Sequence, residues 1–378
     1  MSALLPSHNL YLSIGSNIGD RFGHLQTAVN WLFEEVGSIV KISSVYETPA
    51  MGFEGDPFLN CAIWMRSDLK HSIIMDSILK IERTMGRKRN DSKIYASRPI
   101  DIDILLIDQL ILETEKLTVP HPRIASRKFV LQPLYDIDSE VVHPVFNKDI
   151  AELLVETEDK SILHKQSKWL LNPMKEFNIS KFNYIAIEGN IGAGKTSLAS
   201  KIAQDFNAKL VLERFKDNPF LPKFYEDPTR YAFPLEMSFL ADRYQQLVDD
   251  ITQLNLFKES VISDYDLNKS LIFAKITLTE VEFLLYKRLY SLIYKEMPRP
   301  DIYIYLYQNT EQLLENIRKR GRNYEKGIEA SYLKRVNAGY LEFIKTQPEG
   351  NIKIVDISEM EFLNTRADYL KILRTIFE

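Results

Sequence analysis

The sequence predicts two domains of different fold class, an α+β sandwich followed by an α/β domain with a parallel sheet. The length of 378 residues is enough for two ordinary domains. In the first part, apolar segments follow the order strand, helix, strand, strand, helix, strand, which is typical of helices on one face of an antiparallel sheet. In the second part, strands alternate with helices, which predicts a parallel sheet with helices on both faces. We place the domains at 7–157 and 181–378, joined by a linker at 158–180.

The elements of the first domain follow from the spacing of its apolar residues. A helix that begins near Asp20 carries Leu25, Val29 and Leu32 on one face, and a second helix is expected over about 70–85. The strand candidates are the apolar runs "NLYLSIG", "SIVKISSVYET", "FLNCAIWMRS" and "RPIDIDILL".

The second domain follows a polar segment that contains a proline and has no clean period. Its five strand candidates are separated by helical stretches, so we expect a parallel five-stranded sheet. They are "YIAIE" (184–188), "KLVLE" (209–213), "SVISDY" (260–265), "DIYIYL" (301–306) and "NIKIVDI" (351–357). Apolar helical runs at 235–256 and 270–295 would suit either the core or a homodimer interface.

Composition excludes several classes of protein. The net charge of −4 gives no basis for non-specific nucleic-acid binding. The single cysteine, Cys61, excludes a disulfide framework and is expected to be a buried, inert thiol, which suits the reducing cytoplasm. There is no signal-peptide pattern and no apolar run near the ~20 residues of a membrane span, so we expect a cytoplasmic protein.

Two carboxylates share one face of the predicted strand "RPIDIDILL". Alternate residues of a strand point the same way, so Asp101 and Asp103 project together, about 6–7 Å apart at the backbone, while the isoleucines face a core. A cation such as Lys, Arg or Mg²⁺ should lie between them. A solvated strand face is the alternative for an isolated D-x-D pattern.

Basic stretches flank this strand on both sides. The upstream stretch is "MGRKRNDSKIYASRP" and the downstream stretch is "VPHPRIASRKFV". Carboxylates that hold metal ions, together with cations that neutralise a transferring group, are the requirements of a polyphosphate site. Either stretch alone would also be compatible with a solvated basic loop.

Four ordered blocks resemble the 6-hydroxymethyl-7,8-dihydropterin pyrophosphokinases: "YLSIGSNIGDR", "YETPAMG…DPFLNCAI", "RPIDIDILL" and "LTVPHPRIASRKFVLQPL". The resemblance implies a ferredoxin-like fold and transfer of pyrophosphate from ATP to the pterin hydroxymethyl group, with release of AMP. It implies that Asp101 and Asp103 bind two Mg²⁺ and that Arg87 and Arg98 grip the phosphates. The other implied roles are ATP contacts for Arg89, His121 and Arg127, and pterin contacts for Thr48, Met51, Phe58, Asn60, Phe129 and Tyr95, the last standing where several relatives carry Trp.

The segment "EGNIGAGKTS" fits the phosphate-loop pattern G-x-x-x-x-G-K-[ST] between a predicted strand and a predicted helix. Backbone N–H groups of such a loop face phosphate oxygens at a helix N-terminus, Lys195 would reach the β and γ phosphates, and Thr196 would ligate Mg²⁺. A glycine-rich turn without nucleotide is the alternative. The expected ATP-binding residues are Gly189, Asn190, Ile191, Gly192, Ala193, Gly194, Lys195, Thr196 and Ser197.

Acidic and basic residues elsewhere in the second domain limit the reactions that it could catalyse. Glu213 and Asp264 end two strand candidates, where ligands of open parallel sheets bind, so one could be a general base and the other could orient Mg²⁺. Helix capping or surface charge is the alternative for each. Alternating arginines in "IRKRGRNYEKGI" (Arg318, Arg320 and Arg322) predict a lid over phosphates, or else a solvated helix end.

The second domain resembles the deoxynucleoside kinases, especially the bacterial deoxyadenosine/deoxyguanosine branch. The matching pieces are "IAIEGNIGAGKTSL", "LERFKDNPFLPKFYEDPTRYAFPLEMSFLADRYQQL", "SDYDLNKSLIFA" and "KRGRNYEKGIEASYL". The resemblance implies that Glu213 deprotonates the sugar 5′-hydroxyl and that Asp264 contributes to Mg²⁺ binding. It places Tyr225, Glu236 and Arg243 with these two in the nucleoside pocket, and Pro234 where relatives often carry a base-contacting Gln.

The sequence therefore predicts a bifunctional enzyme with ATP and Mg²⁺ at both sites, two ions in the first and one in the second. Its substrates would be a reduced pterin and a deoxynucleoside, with purine preferred. In the alternative interpretation, the second domain only binds a nucleotide and regulates or dimerises the first. A nucleoside monophosphate kinase would leave Glu213 unexplained, because a phosphate acceptor needs cations more than a base.

Overall fold

The structure is a computed structural model, and it describes residues 7–50, 55–87, 96–214, 218–251, 260–295, 297–347 and 351–377. The chain divides into two compact units, Ala3–Phe177 and Asn178–Glu378, which we call the N-terminal unit and the C-terminal unit. No described helix is long and apolar enough to cross a membrane. Cys61 is buried, and its burial raises the pKa of the thiol, as expected for an inert cysteine.

The N-terminal unit combines a central sheet with helices. Its helices are α1 (Arg21–Glu35), α2 (His71–Thr84), α3 (Lys128–Ile137) and α4 (Ile150–Glu156). Its strands are β1 (His8–Ser16), β2 (Ser38–Ile42), β3 (Tyr46–Thr48), β4 (Phe58–Ser67), β5 (Asp101–Ile107), β6 (Leu112–Glu113), β7 (Thr118–Val119), β8 (Val142–His143), β9 (Lys148–Asp149) and β10 (His164–Lys165).

The central sheet of this unit is antiparallel, as the sequence predicted. Within the described residues its order is β10-β3-β4-β1-β5, with β2 also paired to β4. The run "SIVKISSVYET", expected as one strand, forms β2 and β3, which both pair with β4. The two short strands share one long partner because the chain bends at 43–45 and re-enters the sheet.

Helices cover both faces of the sheet, although the sequence suggested only one. Helix α3, in a region considered only as a basic stretch, packs on the face that carries Tyr11 and Ala62. Helices α1 and α2 contact β1, β4 and β5, and the opposite face of β1 is fully buried at Leu10, Leu12 and Ile14.

The segment interpreted as a linker is packed against the N-terminal unit over much of its length. Strand β10 pairs with β3. The backbone N–H of Leu171 donates to Gln26 Oε1 at 2.7 Å, and Asn172 Nδ2 donates to the Ile39 carbonyl at 3.1 Å. The N-terminal unit therefore extends to Phe177, beyond the boundary at 157 inferred from composition.

The C-terminal unit contains a parallel five-stranded sheet in its described residues, with order β12-β13-β11-β14-β15, which confirms the predicted class. The strands are β11 (Tyr184–Gly189), β12 (Lys209–Val211), β13 (Val261–Ser263), β14 (Ile302–Tyr307) and β15 (Ile352–Asp356). The helices are α5 (Lys195–Asp205), α6 (Leu221–Glu226), α7 (Pro228–Ile251), α8 (Asn268–Thr277), α9 (Glu280–Tyr294), α10 (Thr310–Arg320), α11 (Ala330–Lys345) and α12 (Arg366–Phe377).

The apolar run at 270–295 is two helices rather than one. Helix α8 ends at Thr277, and α9 starts with a capping box in which Thr279 and Glu282 satisfy each other's backbone N–H groups. The capping box marks the N-terminus of a separate helix, so the face that α9 turns to the core is set independently of that of α8.

Candidate active sites

The first candidate site lies on one face of three adjacent strands of the N-terminal unit. Gly15 of β1 is opposite Asp101 of β5 and Asn60 of β4, and Ser13 is opposite Asp103. A Cβ atom on Gly15 would lie 2.8 Å from Asn60 Oδ1, so glycine leaves room between the carboxylates and the polar wall. Asn60 Nδ2 in turn donates to Thr48 Oγ1 at 2.8 Å.

Two arginines neutralise the first carboxylate. Arg87 Nη1 lies 2.5 Å from Asp101 Oδ1, and Arg98 Nη2 lies 2.9 Å from Asp101 Oδ2. Arg87 also contacts the buried Glu82, whose Oε1 accepts the Ile102 N–H at 2.9 Å. Sequence reasoning missed Glu82; the available signal was an acidic residue beside Ile81 on the buried face of α2.

The second carboxylate is in a different electrostatic state. Burial and the negative charge of Asp101 raise the pKa of Asp103 to about 7. His121 Nε2 lies 4.0 Å from Asp103 Oδ2, and burial together with Arg127 and Arg123 lowers the pKa of His121 to about 4. The imidazole is therefore neutral at pH 7. A cation beside Asp103 would favour the ionised form of the Asp103 carboxyl group.

Asp101, Asp103 and their arginines line a cavity of about 510 Å³, whereas His121 and Glu82 are not among the described residues that line it. Its walls include two aromatic rings, Phe58 beneath the Arg98 guanidinium at 5.7 Å and Phe129 beneath the Arg127 guanidinium at 5.5 Å. The predicted residues that line it are Thr48, Phe58, Asn60, Arg87, Arg98, Asp101, Asp103, Arg127 and Phe129. Three further predicted residues, Met51, Arg89 and Tyr95, lie outside the described residues.

The donor set of this cavity fits Mg²⁺. In the described part of the chain, no group of three or more His, Cys, Asp or Glu side chains is arranged to hold a metal ion by itself. Two carboxylates beside an open cavity are nevertheless sufficient, because Mg²⁺ usually takes one or two carboxylates and completes its shell with water and substrate phosphates.

The second candidate site begins at the loop between β11 and α5. Gly192 and Gly194 have φ angles of 86° and 81°, which favour glycine, and a Cβ atom on Gly194 would lie 2.9 Å from Phe362. Lys195 Nζ donates to the carbonyls of Gly189 and Asn190 at 2.9 and 3.0 Å. Burial and the nearby Lys269 lower the pKa of Lys195 to about 8.

Two strand ends bring the acidic residues to this loop. Asp264 follows β13, its Oδ1 accepts the Glu213 N–H at 2.7 Å, and its Oδ2 accepts from the Thr196 hydroxyl. Burial raises the pKa of Asp264. A hydroxyl beside a carboxylate at the start of α5 is a donor set that fits one Mg²⁺ next to nucleotide phosphates.

Both oxygens of Glu213 are held by cations. Arg243 approaches Oε1 with Nε at 2.9 Å and Nη2 at 2.7 Å, and Lys269 Nζ lies 2.6 Å from Oε2. Burial opposes ionisation, yet the charges of Lys269 and Arg243 lower the pKa of Glu213 to about 2. Sequence reasoning missed Lys269, because nothing in "DLNKS" shows which face of α8 would be buried.

A pocket extends from this centre into the helices. Tyr225 stacks on Tyr324 at 6.0 Å, and Glu236 lines the inner wall with its side chain buried. Pro234 is not among the described residues that line the pocket. Glu236 and Arg243 are seven residues apart and share one face of α7.

Two of the three predicted lid arginines converge on one carboxylate. Arg320 Nη2 and Arg322 Nη1 lie 2.6 and 3.2 Å from the oxygens of the buried Glu325, which sequence reasoning missed. Both arginines line the pocket, whereas Arg318 is exposed in the last turn of α10.

Comparisons with known proteins divide the chain in the same way. A family model described as deoxynucleoside kinase matches residues 185–378, and one described as 7,8-dihydro-6-hydroxymethylpterin-pyrophosphokinase matches 11–139. Deoxyguanosine kinase of Bacillus subtilis is 39% identical over 199 residues, which cover 52% of this chain and 96% of the relative. Deoxyadenosine kinase of Dictyostelium discoideum is 32% identical over 204 residues, covering 52% and 81%. The 2-amino-4-hydroxy-6-hydroxymethyldihydropteridine pyrophosphokinase of Aquifex aeolicus is 40% identical over 144 residues, covering 38% and 88%.

Proposed function

We propose that each unit of this bifunctional ATP-dependent kinase catalyses its own reaction independently. The chain belongs to the deoxynucleoside kinase family through residues 185–378 and to the pterin pyrophosphokinase family through its N-terminal part. The first reaction transfers pyrophosphate from ATP to the hydroxymethyl group of the reduced pterin and releases AMP. The second transfers the γ-phosphate to the 5′-hydroxyl of a deoxynucleoside and releases ADP. The main support is that each of the two pockets is lined by its own basic and acidic side chains.

In the N-terminal unit, which we propose is ferredoxin-like, the pterin lies between Phe58 and Phe129 with Asn60 and Thr48 at its polar edge. All four residues line the cavity, and flat rings suit a flat heterocycle. The hydroxymethyl oxygen attacks the β-phosphorus, and AMP leaves with the bridging oxygen.

Charge in this cavity supports the transfer. Arg87 and Arg98 bind the triphosphate; Arg98 Nε is buried and has no hydrogen-bond partner among the described residues, so it is free to donate to a phosphate oxygen. Asp101 and Asp103 would hold two Mg²⁺, which when bound supply positive charge at the reacting phosphates. Positioning and charge neutralisation carry such a reaction without a covalent intermediate.

In the C-terminal unit, Glu213 accepts the proton of the 5′-hydroxyl. Its low pKa keeps it ionised at neutral pH, and Arg243 and Lys269 fix its orientation. Lys195 binds the β and γ phosphates, and Thr196 with Asp264 would hold one Mg²⁺. The names of the relatives, deoxyguanosine kinase and deoxyadenosine kinase, support a purine deoxynucleoside as substrate.

We also propose that the chain forms a homodimer through α9. This helix exposes a stripe of large apolar side chains, with Val281 80% exposed and Leu292 68% exposed, and Leu284 and Leu285 between them. A row of exposed apolar side chains on a helix surface is typical of a protein interface. Consumption of ATP in both reactions and the buried thiol of Cys61 are consistent with a cytoplasmic location.

Products distinguish the two activities in one assay. Full-length protein is incubated with ATP and Mg²⁺ plus either the reduced pterin or a purine deoxynucleoside, and AMP is resolved from ADP. We expect AMP with the pterin and ADP with the deoxynucleoside. Asp101→Asn with Asp103→Asn should abolish AMP alone, and Lys195→Met should abolish ADP alone. If the wild-type chain forms AMP but no ADP with any deoxynucleoside, the C-terminal unit is a regulatory or dimerisation module instead.

A further inference from the structure

The start of helix α3 forms one wall of the N-terminal cavity. Arg127 stands at the cap position and Phe129 in the first turn; both line the cavity, and the Arg127 guanidinium lies 5.5 Å from the centre of the Phe129 ring. The first N–H groups of a helix have no partner inside the helix, and an acceptor side chain at the cap position usually satisfies one of them. The side chain of Arg127 carries only donors, so this wall needs an acceptor from elsewhere in the chain.

Asp159 supplies that acceptor from a segment that neither family model matches. Its Oδ2 accepts the backbone N–H of Lys128, the residue between Arg127 and Phe129, at 2.8 Å. Its Oδ1 accepts the Ser161 N–H at 2.9 Å, so both oxygens of the carboxylate are fixed. A carboxylate at a helix N-terminus also interacts favourably with the helix dipole. Asp159 therefore holds in place the turn that carries two cavity-lining side chains.

The same segment supports a second wall of the cavity. Strand β10 pairs with β3, whose Thr48 lines the cavity, and the Gln166 N–H extends this pairing to the Val45 carbonyl at 2.8 Å. Strand β3 has three residues and lies between β4 and β10 in the sheet. A strand this short makes few hydrogen bonds to each neighbour, so β10 contributes much of its backbone pairing.

We propose that the segment 159–166 is part of the pyrophosphokinase site and that Asp159 is a positioning residue, which acts through the turn that carries Arg127 and Phe129. The inference rests on the proposed pterin pyrophosphokinase activity. Arg127 is the expected ATP contact and Phe129 is the proposed aromatic wall for the pterin, so displacement of this turn weakens the binding of both substrates. Loss of the β10 contact weakens the binding of the pterin alone, because Thr48 lies at the proposed polar edge of the pterin.

Steady-state kinetics of AMP formation with full-length protein test the role of Asp159. Asp159→Ala removes both acceptor oxygens, so KM for ATP and KM for the reduced pterin should each rise about tenfold, while kcat falls less than about threefold. Asp159→Asn keeps one acceptor oxygen and should give smaller increases in both KM values. A residue that only stabilised the fold would instead reduce the amount of active protein, which lowers the apparent kcat and leaves both KM values unchanged.

The cap of α4 offers a matched control in the same unit. Asp149 accepts the Glu152 N–H at 2.8 Å at the start of α4, a helix that contributes no residue to the described cavity lining. Asp149→Ala therefore removes an equivalent helix cap and should leave both KM values unchanged. ADP formation with a deoxynucleoside should be the same in every variant.

A backbone variant tests the second wall independently. Gln166→Pro removes the N–H group that donates to the Val45 carbonyl, because proline has no backbone N–H. We expect KM for the reduced pterin to rise while KM for ATP stays unchanged, which differs from the joint increase expected for Asp159→Ala. This variant tests the proposal even if Asp159→Ala fails to fold, and an unchanged KM for the pterin would remove β10 from the site.

Calorimetric titration separates this inference from the proposed activity. The reduced pterin is titrated into full-length protein in the presence of Mg²⁺ and a non-hydrolysable ATP analogue. If the wild type binds the pterin and Asp159→Ala raises the Kd about tenfold, the inference holds even if no AMP is formed, whereas missing AMP refutes the proposed activity. KM and Kd values of Asp159→Ala that match those of Asp149→Ala would overturn the inference, and a wild type that binds no pterin would overturn both.

Discussion

Replacing Lys269 with methionine measures how much burial increases the contribution of an ion pair to the free energy of unfolding, because α8 also carries an exposed pair with the same N···O distance. Lys269 Nζ lies 2.6 Å from Glu213 Oε2, and Lys275 Nζ lies 2.6 Å from Glu342 Oε1. The side chains of the first pair are 10% and 11% exposed, and those of the second are 53% and 61% exposed. Lys275→Met is therefore a matched control on the same helix.

The expected cost follows from burial. Removing one partner of a buried pair costs about 3–5 kcal/mol, because the other charge remains in the interior. Arg243 still binds Glu213 in the variant, so we expect the lower end, about 3 kcal/mol. An exposed pair contributes about 0–1 kcal/mol. In a unit of this size 1 kcal/mol shifts Tm by about 2–4 °C, so Lys269→Met should lower Tm by about 6–12 °C and Lys275→Met by less than about 4 °C.

Scanning calorimetry of the full-length chain provides the measurement. The transition of the C-terminal unit is identified as the one that deoxyguanosine raises. The folded-state pKa of Glu213, about 2, is below its unfolded value, so its stabilising contribution is present above about pH 4.3 and is lost as the pH falls toward 2. The difference in Tm between the wild type and Lys269→Met should therefore become smaller below about pH 4. Equal Tm losses in the two lysine variants at pH 7 would refute the reasoning.

Two further predictions concern the interface and the N-terminal cavity. Leu285→Glu places a charge in the exposed apolar stripe of α9, so light scattering should show a dimeric wild type and a monomeric variant; a variant that stays dimeric would rule out this interface. Glu82→Gln removes the charge that holds Arg87, so AMP formation should fall about tenfold or more while ADP formation is unchanged. Unchanged AMP formation would show that Asp101 alone positions Arg87.

Periodic patterns in the sequence predicted much of the fold, because they record which faces are buried. The five strands of the C-terminal sheet and the phosphate loop follow directly from apolar runs and glycine spacing. The break between α8 and α9 was missed because the apolar pattern continues across Thr279, where a local capping box starts a new helix. The split of 38–48 into β2 and β3 was missed because both strands use the same distant partner, β4.

The candidate sites were predicted less completely, since partners in space leave little signal along the chain. Lys269, Glu82 and Glu325 are charged residues that would ordinarily be assigned to the surface. Each is buried because a group far away in sequence or on the next turn neutralises it.

The strand order of the N-terminal unit has a consequence for synthesis of the chain on the ribosome. Strand β1 emerges first, yet it lies between β4 and β5, and Leu10 pairs with Ile107. At translation rates of about 5–20 residues per second, β1 waits on the order of 5–20 s for its last neighbour. During that time the backbone edge of β1 that will pair with β5, from Leu10 to Gly15, lacks its strand partner. The C-terminal unit begins to form only afterwards, from β11 onward.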